Sequence, residues 1–259
     1  MRFVAKDLEK TAEISRGAER WRISWRRVLC GGLVLLAFYF AIGLLADFAA
    51  DSISDEWEAR TFQLQFGDEP ENDPDFKRTR DLFETLTREP GLRALPYRLS
   101  LLDEKNPNAF ALPGGAVGVT RGLLDLVKSE EGMALVLAHE LGHHQGRDAL
   151  RSMGRTILLR LATSLALGDS EPMGLDLALT LAEAGHSRSQ ERRADEFGLR
   201  LVHRVLGRLG SALEFFEAIE REEGGKESRW AAFFRSHPLT RERIEHLREL
   251  SQGLKAERR

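Results

Sequence analysis

The sequence predicts an α+β, mainly helical domain with a small β-sheet, preceded by one N-terminal transmembrane helix. Three observations carry this expectation. Residues 28–46 are nineteen consecutive uncharged, almost wholly apolar residues. Helical periodicity with recognisable caps fills most of 75–250. Two short alternating stretches, 97–103 and 116–120, read as strands. At 259 residues and 42% hydrophobic, the chain can bury one core of about 200 residues plus appendages.

The order of the chain starts with polar residues 1–27, which carry Lys6, Lys10, Arg16, Arg20, Arg22, Arg26 and Arg27. The apolar stretch that follows covers about 28 Å as a helix, enough for the hydrocarbon core of a bilayer. Trp21 and Trp25 stand where interfacial anchors stand, and Asp47, Asp51, Asp55 and Glu56 follow the stretch. Basic residues stay on the cytoplasmic side. This predicts a cytoplasmic segment 1–27, a membrane anchor 28–46, and everything beyond residue 50 on the far side of the membrane, the periplasm in a bacterium. A cleaved signal peptide is the rival reading. Asp47 sits at the −3 position of its best cleavage site, after Ala49, which disfavours it.

Residues 47–74 read as a linker arm on which Trp57 and Phe62 dock, ending in the breaker run Gly67-Asp-Glu-Pro-Glu-Asn-Asp-Pro74. A helix over 75–88 stops at Pro90-Gly91. Between the two strands lies Asn108-Ala-Phe-Ala-Leu-Pro-Gly-Gly115. Pro113 cannot donate to a ladder, so this piece ends a strand at a sheet edge. A helix over 121–128 follows. Residues 157–167 and 175–184 read as two buried or interfacial helices, each too short to span a bilayer. Further helices are expected from Ser187, over 213–219 and over 241–250, with a solvated tail at 251–259.

Composition removes several function classes. A net charge of −3 gives no electrostatic case for nucleic acid. The single cysteine, Cys30, excludes a disulfide framework and a Cys-rich zinc module, and the residues before it do not spell a lipobox. A metal site here must use the seven histidines and the carboxylates.

The stretch Ala134-Leu-Val-Leu-Ala-His139-Glu140-Leu-Gly-His143-His144 concentrates the chemistry. Ser129 can cap a helix whose first turn holds Glu130 and Glu131. On that helix His139 and His143 project from one face, one turn apart, and Glu140 lies beside them. This is the His-Glu-x-x-His pattern: two neutral nitrogens for one Zn²⁺ and a carboxylate placed to take a proton from the attacking water. The small Gly142 and Gly146 leave room for another element to approach.

Catalytic zinc wants a third protein ligand. Glu191 is the best candidate, early in a helix opened by the capping-box spelling Ser187-Arg-Ser-Gln190, with Asp195 one turn on. Glu191 would reach the metal and Asp195 the far nitrogen of a ligand imidazole. A solvated acidic face is the competing account, and Glu183, His186 and Glu196 are weaker alternatives. His237, held extended before Pro238, is a candidate oxyanion donor and catalytic residue. It would alternatively occupy the open metal position or cap the last helix. His144, His203 and His246 carry no expected chemistry.

His139-Glu140-Leu-Gly-His143, then Glu191-Arg-Arg-Ala-Asp195, then Ser236-His237-Pro238 together resemble the M48 family of zinc metallopeptidases. The segments 108–115 and Val119-Thr-Arg-Gly-Leu-Leu124 resemble that family's edge-strand region, so the similarity runs over about 75–250. The resemblance implies a gluzincin fold with His139, His143 and Glu191 as ligands, Glu140 as general base and Asp195 behind a ligand. The chain departs from the HtpX-like and Ste24-like members, which have several spanning helices. The expected function is a membrane-anchored zinc endopeptidase acting on misfolded or misassembled polypeptide. A zinc-dependent assembly factor or chaperone that seldom cuts is the alternative. Asn108, Ala109, Phe110, Gly114 and Gly115 are the expected substrate-binding residues, an edge that takes up extended or unfolded chain by strand addition.

Overall fold

Why the His-Glu-x-x-His helix forms the centre of the fold is visible in its composition. Every residue from Gly132 to His144 is buried, as expected of a helix that is apolar on all sides. The computed structural model describes residues 25–63, 69, 70, 72–167, 186–214, 216, 236–238 and 240–257. The expected helix over 175–184, most of that over 213–219, the candidate Glu183 and nearly all of the basic segment 1–27 lie outside the described residues.

The chain divides into two units, Met1–Gly43 and Leu44–Arg259. Helix α1, Trp25–Ser52, is longer than the expected anchor and is the one described helix long and apolar enough to cross a membrane. Its apolar side chains, from Val28 to Phe40, are exposed.

The second unit begins earlier than the expected domain boundary. Ser54 caps a helix α2, Asp55–Thr61, by accepting from the Trp57 amide. The arm therefore contains a folded element, not only linker. Its Glu58 is buried and pairs with Arg93. Phe62 lies with its carbonyl and Cβ against Gly114, whereas Trp57 remains 50% exposed and meets Phe62 edge to face.

Helix α3, Pro74–Thr87, has Asp73 as its cap and Pro74 in the first turn. The sheet has three strands in the order β1-β3-β2: β1 is Arg98–Leu102, β2 Ala109–Leu112 and β3 Ala116–Thr120. β1 runs parallel to β3 in the register Arg98↔Ala116, and β2 pairs antiparallel with β3 as Phe110↔Gly118. β2 stops before Pro113 and lies at a sheet edge. Gly114 and Gly115 turn the chain into β3 with φ of +85° and +87°, a region that glycine enters at no steric cost.

Helix α4, Arg121–Leu126, is capped by Thr120, and α5, Glu130–Gln145, by Ser129. Arg147 follows in the left-handed region at φ 55° and α6, Asp148–Leu167, leaves from there. The capping box at Ser187 opens α7, Arg188–Leu206. The last helix, α8, runs Arg241–Glu257, so the expected tail at 251 is instead two further turns. Ser251 and Leu254 are buried because Leu254 continues the Ile244, Leu247 and Leu250 stripe at helical spacing.

One core joins these elements: Phe76, Phe83 and Leu86 of α3, Leu99 and Val117 of the sheet, Leu135, Leu137 and Leu141 of α5, Leu199 and Leu201 of α7, and Leu247 of α8. Small residues set the α5–α7 crossing. A Cβ on Gly142 would stand 2.7 Å from Ala194 Cα, and one on Gly198 would stand 3.0 Å from the His139 nitrogen. That approach brings Glu191 and Asp195 to the two histidines.

Candidate metal centre

His139 and His143 leave α5 from the face that α7 crosses, and both are buried. Their Nε2 atoms are 3.0 Å apart. Each Nδ1 meets a carboxylate: Asp195 Oδ1 at 2.9 Å for His139 and Asp148 Oδ2 at 2.9 Å for His143. A carboxylate beside Nδ1 favours the tautomer with the hydrogen on that nitrogen, so a neutral ring presents a lone pair at Nε2. Two such lone pairs facing each other repel unless a cation or proton lies between them.

Glu191 stands opposite them. Its Oε1 is 3.4 Å from His143 Nε2 and its Oε2 3.6 Å from His139 Nε2. His237 closes the group, with Nδ1 3.3 Å from His139 Nε2 and 3.2 Å from Glu191 Oε1. One donor atom from each of His139, His143, Glu191 and His237 lies within 4.8 Å of the others, and all four residues are buried. Four donors at about 2.1 Å from one tetrahedral Zn²⁺ stand about 3.4 Å apart. The cluster therefore has the size of a zinc site.

Its charge balance points the same way. Glu140, Asp148, Glu191 and Asp195 are buried carboxylates; the buried Arg243 reaches two of them, Glu191 and Asp195, and the exposed Arg193 lies 3.5 Å from Asp148. Burial pushes Glu191 upward, but His237, His143 and His139 around it more than offset that and hold it well below the usual carboxylate range. Burial disfavours charge on His143 too; Asp148 and Glu191 at its nitrogens, with Glu140 nearby, nevertheless push it up to about 10. His139 is lowered by burial, against the pull of Asp195. Buried carboxylates outnumber buried guanidinia at the site, which favours a cation among the converging donors.

Glu140 is fully buried, and neither of its oxygens has a hydrogen-bond partner among the described residues; His237 Nε2 lies 3.6 Å from Oε1. A buried carboxylate with no donor is costly, and a general base waiting for water is one physical reason to keep it.

The structure brings together His139, Glu140, His143, Glu191, Asp195 and His237. His237 is not the cap of α8, since Thr240 Oγ1 accepts from the Arg243 amide. Asn108, Ala109, Phe110, Gly114 and Gly115 form β2 and its flanks instead of joining the cluster. The Asn108 amide donates to Thr120 Oγ1 at 2.8 Å, Ala109 and Phe110 are buried, and the Gly114 amide donates to Glu58 Oε1 at 3.0 Å. Of the weaker ligand alternatives, Glu196 pairs with Arg192 and His246. His186 stacks on the His143 ring at 3.9 Å.

Two residues of the site escape sequence reasoning. Asp148 holds His143 and also accepts from Gln190 Nε2 at 2.8 Å; the only local signal is an acid at the start of α6. Arg243 forks onto Asp195 at 2.8 and 2.9 Å, reaches Glu191 Oε2 at 2.6 Å and donates to the Pro238 carbonyl at 2.8 Å. One guanidinium thus ties the third donor, the carboxylate behind His139 and the His237 turn together, and nothing local in 241–250 marks it.

A helix with two inward imidazoles and a donorless carboxylate beside them, crossed by a second helix bearing another carboxylate, defines a metal-dependent hydrolase. The comparisons with known proteins narrow that class. The chain belongs to Peptidase family M48, which matches residues 74–251. It is 33% identical over 165 residues to the mitochondrial metalloendopeptidase OMA1 of Schizosaccharomyces pombe, covering 61% of this chain and 48% of that protein. The protease HtpX homolog of Salinibacter ruber is 29% identical over 255 residues, 85% of this chain and 89% of its own length. The metalloprotease LoiP of Escherichia coli is 29% identical over 164 residues, 60% and 62% of the two chains. The chain spans about half the length of the OMA1 relative.

Proposed function

We propose that this chain is a membrane-anchored zinc endopeptidase, one Zn²⁺ per chain, that hydrolyses extended or unfolded polypeptide. The convergence of His139, His143 and Glu191 on one point beside the donorless Glu140 carries the reading. In it those three residues hold the ion, and Asp195 and Asp148 orient the imidazoles through Nδ1. Zn²⁺ bound there supplies Lewis acidity, polarising the scissile carbonyl and acidifying the attacking water. Glu140 accepts the proton of that water and returns it to the leaving amine. His237 donates to the developing oxyanion when it swings clear of Glu191, and in the present arrangement it completes the donor set. Residues 75–250 form the peptidase domain, 28–46 the anchor, with the N-terminus cytoplasmic. Asn108, Ala109, Phe110, Gly114 and Gly115 form the edge for strand addition. Misfolded or misassembled proteins are the substrate class this edge suits, since backbone pairing reads little sequence.

The second reading, a client-holding assembly factor that seldom cuts, is favoured by one observation: His237 offers a fourth donor to the cluster, where an open catalytic site would have three. The experiment that separates the two is casein hydrolysis by the full chain in detergent, compared with Glu140→Gln. Hydrolysis by the parent and its loss in the variant supports the peptidase. Equal rates in both would overturn the role of Glu140, and no hydrolysis by either would favour the holding role.

A further inference from the structure

α6 is an apolar helix that lies outside the core formed by the described residues. Its second half, Ile157-Leu-Leu-Arg-Leu-Ala-Thr-Ser-Leu165, is rich in leucine, yet no described side chain from Arg151 to Leu165 is buried. Leu159, Leu161 and Leu165 are 36%, 54% and 80% exposed. Outside α1, the exposed large apolar side chains among the described residues are these three and Trp57. Isolated exposed leucines need no explanation, but here Leu161 and Leu165 share one face a turn apart and Leu159 lies on another, so the helix is apolar and exposed on more than one side.

The start of α6 is fixed beside the end of α1. A Cβ on Gly154 would lie 3.3 Å from the Ala46 Cβ, closer than ordinary contact, so the small residues set this approach. Arg151 pairs with Asp51 at 2.6 Å and Arg155 with Asp47 at 2.8 Å. The pairing steps back along α1 as it steps forward along α6. Asp47 and Asp51 are the first charges after the apolar stretch of α1. If that stretch crosses the bilayer, these ion pairs lie at its surface, and residues 157 onward point into it.

We propose that the second half of α6 is embedded in the membrane leaflet that faces the peptidase domain. This rests on the membrane-anchor reading above. Residues 156–167 rise about 18 Å, near half of a hydrocarbon core of about 30 Å, so α6 enters one leaflet without spanning. Lipid is favoured over a protein partner because, along α6, the exposed leucines follow a belt of Arg–Asp pairs whose acids are the first charges after the apolar stretch of the chain. That sequence of surfaces matches a bilayer boundary. The consequence reaches the site. Asp148, which holds His143, precedes Arg151 by three residues, about 4.5 Å of helix rise. The metal cluster then sits close to the membrane face, and the substrates within reach are polypeptides at that face.

The test places single cysteines at Leu161→Cys and Leu165→Cys in the full chain carrying Cys30→Ser, with Lys77→Cys on exposed α3 as reference. Each is labelled with an environment-sensitive fluorophore in phosphatidylethanolamine/phosphatidylglycerol vesicles. Native Cys30, exposed on α1, is labelled separately. The expected result is blue-shifted emission at 161 and 165 that is lost on adding doxyl-labelled lipid, with water-like emission at 77. Water-like emission at 161 and 165, or a blue shift that doxyl lipid does not quench (a second copy or another protein covering the helix), would overturn the proposal. Quenching at Cys30 shows that the anchor stands in either case; its absence would take the anchor reading down as well.

Discussion

Two charge clusters flank the C-terminal half of α5, one fully buried and one half-buried, and they are built on different arithmetic. Beyond its C-terminal end, Arg93 and Arg147 meet Asp55 and Glu58. Two guanidinia match two carboxylates there, and the remaining donors reach the carbonyls of His144, Ala50 and Ile53. The metal cluster sets four buried carboxylates against one buried guanidinium, Arg243, and the largely exposed Arg193, which lies 3.5 Å from Asp148. The first is complete as it stands and ties α2 to the domain. The second is complete only with another cation. Burial of polar groups alone does not mark a functional site; an unmatched charge among converging donors does.

The comparison can be broken in several places, the largest expected effect being at Glu140. Glu140→Gln should lower casein hydrolysis about 10²- to 10⁴-fold, the usual weight of a general base, while zinc content measured by atomic absorption stays near one per chain. Loss of zinc together with activity would move Glu140 into the ligand set. In the balanced cluster, Arg93→Met strands Glu58 and should cost about 3–5 kcal/mol of stability. Denaturant unfolding would report that loss, and zinc stoichiometry in the folded protein should not change. A zinc deficit in that variant would erase the distinction between the clusters.

A smaller effect is expected one layer behind the metal. Asp195→Asn and Asp148→Asn should each weaken zinc about 10- to 100-fold, read by competition with a chromogenic chelator. Asp55→Asn, in the balanced cluster, should leave zinc affinity alone.

The smallest effect is a pH dependence. Burial raises Asp55, but its hydrogen bonds and charge contacts with Arg93, with Arg147 adding, bring it below its ordinary value. A carboxylate depressed in the folded state contributes stability above its unfolded value, about 3.9, and that contribution is lost as pH falls through the folded value. Acid unfolding of the parent should therefore include a component below about pH 4 that Asp55→Asn lacks. An identical acid limb in both would remove Asp55 from the joint.

How far the sequence speaks follows the range of each interaction. His139, Glu140 and His143 are legible because one helical turn places them, and the caps at Ser129 and Ser187 locate both helices of the site. Gly142 is legible as a close approach, though not as the contact with Ala194. Arg243 and Asp148 are not legible, because their roles depend on α8 and α6 arriving beside α7 and α5 from distant parts of the chain. The folded arm is missed for the same reason: Glu58 looks like a solvated helix acid until Arg93 is placed against it. α6 reads as buried or interfacial from composition, and among the described residues no side chain from 151 to 165 is buried. The parallel pairing of β1 with β3 is a topological fact that no local pattern carries.

The central claim is that the unmatched carboxylates and facing imidazoles form a zinc site. Zinc titration of metal-free full chain in detergent, beside the double variant His139→Ala/His143→Ala, tests it most directly. The expected result is one tightly held zinc per parent chain, with a raised melting temperature, and no comparable binding in the variant. A parent stoichiometry far below one, or equal zinc binding by both proteins, would contradict it.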